Sequence, residues 1–199
     1  MLISMSSGIG KLMSAILLIG ILLTAGASYA QGRQEVRYNY LPPQLTVTFQ
    51  HTEDDYQLRL LDGSLEQVIL NGTAVEYANR RFYPLELIGR ASFSSGNPLG
   101  QKLETFTAGA GYTRQFARRF DPFVRVATGF ARTSSDDSQY LYKSSQTGFA
   151  VQVYGGLDIA MTRRWGIRAI DLENQYLPYG VQSEGSVYWS YGAGAFFRF

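Results

Sequence analysis

From Gln44 to Phe199 apolar and polar residues alternate in stretch after stretch. A period of two is what a strand imposes when the two faces of its sheet meet different surroundings. In the closing stretch Ser186–Phe199, Val187, Trp189, Tyr191, Ala193, Ala195, Phe197 and Phe199 make one face. Tyr188, Ser190, Gly192, Gly194, Phe196 and Arg198 make the other, which is small or polar apart from its aromatics. In a soluble sheet the first face would be an exposed hydrophobic edge. Against lipid the same face is solvated.

The alternation predicts about eight strands. Strand one spans Gln44 to His51, with Leu45, Val47 and Phe49 opposite Thr46, Thr48 and Gln50. Tyr56, Leu58 and Leu60 then alternate in the opposite parity, beyond the acidic break Glu53-Asp54-Asp55, so a bulged or loop-like continuation is expected up to a hairpin tip at Asp62-Gly63. Strand two is Leu65 to Tyr77, and strand three is about Phe82 to Phe93, with Tyr83, Leu85, Leu87, Gly89, Ala91 and Phe93 opposite Pro84, Glu86, Ile88, Arg90 and Ser92. Strand four, about Lys102 to Phe116, sets Phe106, Ala108, Ala110 and Tyr112 against Gly109 and Gly111, where side chains from across need room. Strand five is about Phe120 to Thr133, with Val124 and Val126 facing one way and Arg125 the other. Strand six is about Thr147 to Met161, with Val151, Val153 and Leu157 opposite Gln152, Tyr154 and Asp158. In strand seven, about Trp165 to Tyr176, Ile167 and Ile170 differ in parity. A bulge near Ala169 would reconcile them and turn Arg168, Asp171 and Glu173 to one side.

The connections also alternate. Tight turns are expected at Ala78-Asn79-Arg80-Arg81, Ala117-Arg118-Arg119 and Thr162-Arg163-Arg164, each followed by an aromatic: Phe82, Phe120 or Trp165. The other connections, among them Ser94–Gln101, Ser134–Gln146 and Pro178–Gly185, are longer and polar. Short turns at one end, long loops at the other and an even strand count predict an all-β fold, an eight-stranded antiparallel up-and-down transmembrane β-barrel. Strands of ~9–11 residues tilted near 45° cross a bilayer, and closure pairs every backbone group that lipid cannot satisfy. Both termini would lie on the periplasmic side, with the Arg pairs at that interface and the aromatics in its girdle. A soluble lipocalin-like barrel would need the opposite arrangement, apolar inside and polar outside.

Residues 1–30 change the picture before the barrel begins. Lys11, the apolar run Leu12–Leu23 and the small residues ending Ala27-Ser28-Tyr29-Ala30 are expected to be a signal peptide cleaved near Ala30. An uncleaved anchor is the alternative, although the run is short of the ~20 apolar residues a helical span wants. Residues 31–43 would be an N-terminal lead-in and 44–199 the barrel domain. Of the 18 basic residues only Lys11 precedes Gln31, which leaves a mature chain close to neutral against 16 acids. Such a balance gives no electrostatic footprint for nucleic acid. With no cysteine, the fold must close without disulfides.

With these residues in view, the chain from Gln44 to Phe199 resembles the small bacterial outer-membrane β-barrel proteins, the OmpA-like, opacity-type, porin-family barrel domains. The likeness is most specific in the C-terminal strand, with Phe199 preceded by Phe197, Ala195, Ala193 and Tyr191. The resemblance implies that these five residues are the signal read by the outer-membrane assembly machinery. It also implies a location in the outer membrane of a Gram-negative bacterium, lipid and lipopolysaccharide as surroundings, and no cofactor.

An eight-stranded barrel is just wide enough for side chains to fill. The inward polar candidates are Glu86, Arg90, Arg125, Gln152, Tyr154, Asp158, Arg168, Asp171, Glu173 and Arg198, with Tyr188 and possible help from Glu76. Both signs are present, so a paired network is expected to hold the lumen largely shut. The function expected is therefore a non-enzymatic structural or surface-interaction role for a monomeric barrel, with a narrow porin-like channel as the alternative. His51 is the only histidine, which excludes multi-histidine metal sites and leaves one conceivable Ser–His pairing. Glu53-Asp54-Asp55 and Asp136-Asp137 read as solvated acidic loops rather than cation sites, and Asn71-Gly72-Thr73 as a chance glycosylation sequon.

Overall fold

The computed structural model describes residues 41–59, 65–97, 100–116, 119–137, 142–178 and 186–199. The expected signal peptide, most of the lead-in and the Asp62-Gly63 tip lie outside them. Eight antiparallel strands form one closed barrel in chain order: β1 (Gln44–Arg59), β2 (Leu65–Phe82), β3 (Leu85–Asn97), β4 (Gln101–Thr113), β5 (Phe120–Asp137), β6 (Tyr142–Ala160), β7 (Trp165–Leu177) and β8 (Ser186–Arg198). β8 closes the ring against β1, from Gln44 opposite Arg198 to Asp54 opposite Tyr188. Closure leaves no sheet edge, so Phe197 and Phe199 need no further strand to cover them.

The alternation sorts directly into wall and lumen. Leu45, Val47, Phe49, Leu87, Phe106, Val126, Phe130 and Leu172 are exposed on the outside. Their polar neighbours in sequence, Thr46, Thr48, Gln50, Glu86, Thr105, Arg125 and Glu173, are buried inside. Ala169 is the extra residue of a bulge: Leu157 of β6 faces Ile170, but the next residue, Asp158, faces Arg168. The added residue lets Ile167 and Ile170 both face out while Arg168 and Asp171 face in. A second irregularity lies between Glu53 and Gln57, where β1 advances farther than β2.

Several expected boundaries are corrected. Arg80 and Arg81 are not in a turn: β2 runs on to Phe82, and the turn is Tyr83-Pro84. Strand three accordingly starts at Leu85 and not at Phe82. Proline, with no N–H to give the ladder, suits that break. Keeping Arg80 in register with Glu76 and Ala78 sends its side chain into the lumen. β4 ends at Thr113, short of Phe116, which instead bridges to Phe120 across the turn. The polar stretches taken for loops are largely strand: β3 reaches Asn97, β5 reaches Asp137 and β6 starts at Tyr142. There the ladder continues through Asp136 opposite Lys143 and Asp137 opposite Tyr142. Connections 83–84, 114–119 and 161–164 make a short-turn end. Connections 60–64, 98–100, 138–141 and 178–185 make the other, long-hairpin end, where the expected contrast in connection length does not hold (three to eight residues against two to six) and the longer reach comes from the strands β1, β2, β5 and β6.

Candidate functional site: the lumen

The interior is filled in layers. Nearest the short-turn end, Gln44 on β1 accepts from Arg80 Nη1 (2.9 Å) and Arg198 Nε (3.0 Å) through Oε1, and donates to Asp158 Oδ2 (2.6 Å). Arg198 Nη2 also donates to Asp121 Oδ2 at 2.5 Å. Arg168, turned inward by the Ala169 bulge, grips Asp158 with Nε (2.8 Å) and Nη2 (3.2 Å). Arg80 Nε lies 3.2 Å from Glu86 Oε2.

The next layer centres on Glu76. Its carboxylate takes Arg125 Nη1, Arg168 Nη2 (2.9 Å) and Arg90 Nη1 (3.4 Å). Arg125 Nε donates to Glu86 Oε1 (2.5 Å), and Arg90 Nη2 reaches both Asp171 (3.0 Å) and Glu173 (2.8 Å). Two guanidinium groups lie against the Phe123 ring, Arg125 at 4.1 Å and Arg168 at 4.2 Å from its centroid, and Arg90 sits 4.5 Å over the Tyr154 ring. Arginine suits these sites because its planar fork pairs with carboxylates while its face stacks on a ring. Gly111 leaves space for this layer: a Cβ there would lie 2.5 Å from Arg125 Cγ and 3.0 Å from Glu86 Oε1.

Above the ions comes a neutral layer. Gln152 donates to Glu173 Oε1 and Gln175 Oε1 (both 2.9 Å), accepts from Thr107 (2.6 Å), and Gln175 donates to Thr105 (3.1 Å). Toward the long-hairpin end an apolar plug closes the lumen, made of Val68, Leu70, Leu103, Ala131, Ala150, Leu177 and Tyr188.

All ten inward candidates named from the sequence, Glu86, Arg90, Arg125, Gln152, Tyr154, Asp158, Arg168, Asp171, Glu173 and Arg198, are buried in this interior. Sequence reading gave Glu76 only a marginal place, although three arginines converge on it. It also missed Gln44, Arg80, Asp121, Phe123 and Gln175. Parity was a usable signal for most of them, since Asp121 and Phe123 alternate in step with Arg125, and Gln175 with Glu173.

The five C-terminal residues expected to carry an assembly signal sit on the outer wall, where Phe197 packs on Trp165 (4.6 Å between ring centroids) and Phe199 lies 6.1 Å from Phe197 and 6.3 Å from Tyr77. His51 is on the outside too. Its Nδ1 is 2.7 Å from Asn71 Oδ1, its Nε2 is 3.7 Å from Glu53 Oε1, and its ring lies 4.9 Å from that of Tyr191. Among the described residues it meets no serine. Glu53 faces out and Asp54 is buried inside, so the two carboxylates diverge. No group of three or more metal-ligating side chains is gathered among the described residues. The Asp136 and Asp137 side chains lie outside the described set.

The outer wall completes the picture. Phe49 is 71% exposed, Phe130 66% and Leu87 53%, and such side chains recur on every strand around the ring. A soluble monomer rarely exposes a contiguous apolar patch beyond a few hundred Å². A closed barrel with a greasy circumference and a charged interior is a barrel that spans a bilayer.

No family model matches the sequence, and neither does any curated protein. Solved structures do match in fold. Neisserial surface protein A superposes with a TM-score of 0.64 at 15% identity, covering 79% of this chain and 97% of that one. OprG, an outer membrane protein from Pseudomonas aeruginosa, gives 0.55 at 11% identity, covering 80% and 97%. Ail, the attachment invasion locus protein of Yersinia pestis, in its complex with the heparin analogue sucrose octasulfate, gives 0.53 at 13% identity, covering 80% and 100%. The chain has the fold of the small eight-stranded bacterial outer-membrane β-barrels.

Proposed function

We propose that the protein is a closed, non-enzymatic barrel of the bacterial outer membrane that acts through its surface and does not conduct. The short-turn end then faces the periplasm and the long-hairpin end faces outward. The observation that carries this reading is the continuous filling of the lumen, with ion pairs below, glutamine and threonine in the middle and the apolar plug above. An ion crossing it would have to break into a layer where a buried charge without its partner costs several kcal/mol.

The strand lengths favour the surface role. β5 and β6 run 18 and 19 residues, against 13 for β3, β4, β7 and β8. Beyond the last pair with β4 (Lys102 opposite Ser134) β5 continues for three residues, and beyond the last pair with β7 (Val151 opposite Tyr176) β6 continues for nine, so at ~3.3 Å each the hairpin projects roughly 10 Å past β4 and roughly 30 Å past β7 along the strand direction. Ail is found in complex with a polysulfated sugar, the heparin analogue sucrose octasulfate. Here the segments at the long-hairpin end carry more acid than base, with Glu53, Asp54, Asp55, Glu66, Glu104, Asp136 and Asp137 against Arg59, Lys102, Arg132 and Lys143. That balance argues against a polyanion as the ligand of this end. The C-terminal strand, with Tyr191, Ala193, Ala195, Phe197 and Phe199 outermost, is the segment we assign to the assembly machinery.

The narrow-channel reading draws on one observation. Nε of Arg90 and Nη2 of Arg125 are buried with no hydrogen-bond partner among the described residues, and water suits such groups. Planar-bilayer recording decides between the two. A closed barrel gives no stable steps, whereas steps that scale with salt concentration overturn the closed reading.

A further inference from the structure

The two ends of the barrel differ in the sign of their outward charge. At the short-turn end Arg81, Arg119, Arg163 and Arg164 are all exposed. None of these four side chains has an ion-pair or hydrogen-bond partner among the described residues. The acids of this end, Glu86, Asp121 and Asp158, are buried in the lumen and held by Arg125, Arg198 and Arg168. Among the described residues the outward side-chain charges of this rim are therefore all positive. At the other end cations and acids alternate on the wall, with Arg132 directly opposite Glu104 across the β4–β5 ladder.

Two further features narrow the partner. Immediately inside the arginines lies an exposed aromatic band of Phe82, Phe116, Phe120 and Trp165. Aromatic rings collect at the level of lipid headgroups, so the guanidinium groups lie at the depth of the phosphates. The cations are also all arginine. A guanidinium fork binds a phosphodiester through two parallel hydrogen bonds, which an ammonium group cannot do.

We propose that this rim docks anionic phospholipid headgroups of the leaflet that surrounds it. The inference rests on the membrane-spanning reading above. The rim then fixes the depth of the barrel in the bilayer, with a single-signed collar at one end and a mixed-sign wall at the other.

The two tryptophans make the test. Trp165 lies at the arginine end, next to Phe197, and Trp189 lies toward the long-hairpin end, opposite Glu53. Trp189→Phe and Trp165→Phe variants each leave one reporter. Each is folded into phosphatidylcholine vesicles containing a minor fraction of brominated phosphatidylglycerol or, separately, brominated phosphatidylcholine. Trp165 should be quenched preferentially by the anionic lipid, on the order of fivefold for each headgroup contact held by one arginine. The preference should fall toward unity in 0.5 M salt, as screening requires (Debye length well under ~8 Å). It should vanish when Arg81, Arg119, Arg163 and Arg164 are all changed to Gln, and be partly kept when all four are changed to Lys. Trp189 should show no preference.

Equal quenching of Trp165 by the two lipids overturns the proposal, as does an equal anionic preference at Trp189. Equal quenching together with saturable binding of inorganic polyphosphate that the fourfold Gln variant loses overturns it in favour of a soluble polyanion. If neither brominated lipid quenches either tryptophan, the membrane-spanning reading fails first. Folding of the fourfold variants is checked independently by heat-modifiable gel mobility, and the salt titration on the unsubstituted rim needs no variant.

Discussion

The two halves of the lumen are filled by different physics. Toward the short turns, five guanidinium groups (Arg80, Arg90, Arg125, Arg168, Arg198) meet six carboxylates (Glu76, Glu86, Asp121, Asp158, Asp171, Glu173), all buried. Toward the long hairpins the same cross-section is occupied by Val68, Leu70, Leu103, Leu177 and Tyr188, with alanines between them and the buried Asp54 hydrogen-bonded to Tyr188. An ionic filling is conditional on every partner, because each charge has left water and only its neighbours offset that cost. An apolar filling depends chiefly on volume. The glutamines and threonines between the halves are neutral, so neither filling borders directly on the other. Single substitutions should therefore cost most in the ionic half and less in the apolar half.

The largest effect is expected at Glu76. Glu76→Leu takes one carboxylate from three arginines, Arg90, Arg125 and Arg168, and should destabilise the barrel by about 3–5 kcal/mol. Urea titration in lipid vesicles, followed by gel mobility, measures this. The double variant Glu76→Leu/Arg125→Met should recover part of the loss, since it removes a stranded cation together with its acid. A double variant that loses the full sum of the two single changes would break the ionic account.

Next comes the plug. Leu70 is 2% exposed within the apolar cluster, and Leu70→Ala should cost about 2–3 kcal/mol in the same titration. No second change should rescue it in the way a paired deletion rescues the ionic layer, unless it restores volume. A cost at Leu70 that matches or exceeds that at Glu76 would erase the proposed contrast between the halves.

The wall-and-lumen division was legible in the sequence because a strand crossing lipid has no freedom of parity. One charge on the lipid face at mid-membrane costs about 2–4 kcal/mol. That pressure wrote the alternation of β3, β6 and β8, and it made Arg90, Asp158 and Arg198 readable as inward. It also made the Ala169 bulge inferable, since only an extra residue sets Ile167 and Ile170 on the same side. The pressure lapses outside the bilayer. Ser134, Ser135, Ser145 and Gln146 are all at least partly exposed on the β5–β6 ladder whichever face they take, so strand continuation there leaves no hydrophobic signature, and the stretch reads as loop. Arg80 was misread for a related reason. Beside Arg81, and next to the end of a strand, an arginine has the local appearance of a turn residue. Its inward place follows from contacts with Gln44, 36 residues away, and with Glu86 on the next strand. Sequence spacing carries no record of either contact. The convergence of three arginines on Glu76 is likewise set by barrel closure and shear, which bring β2, β3, β5 and β7 to one point of the interior.

Two glycines carry the contrast to its smallest scale, now between lumen and wall. Gly111 points inward, and a Cβ there would press on Arg125 Cγ at 2.5 Å. Gly111→Ala must displace a guanidinium stem whose head is held by Glu76 and Glu86, so a loss of about 1–2 kcal/mol is expected. Gly89, on the neighbouring strand, points outward between Tyr77 and Ala108 in register, and a Cβ there meets nothing within 4 Å. Its backbone is not in the left-handed region, where the described residues place only Gly100. Alanine at position 89 therefore fits the native conformation, reduces the freedom of the unfolded chain and adds a methyl group to the lipid-facing wall. A gain of about 0.5 kcal/mol is expected. The two changes are chemically identical and differ only in the face that receives the methyl group, so their ΔΔG values from the same urea titration should have opposite signs. Equal signs would mean that the interior around Arg125 yields as readily as lipid does, and that the lumen is not filled to the density its ion pairs require.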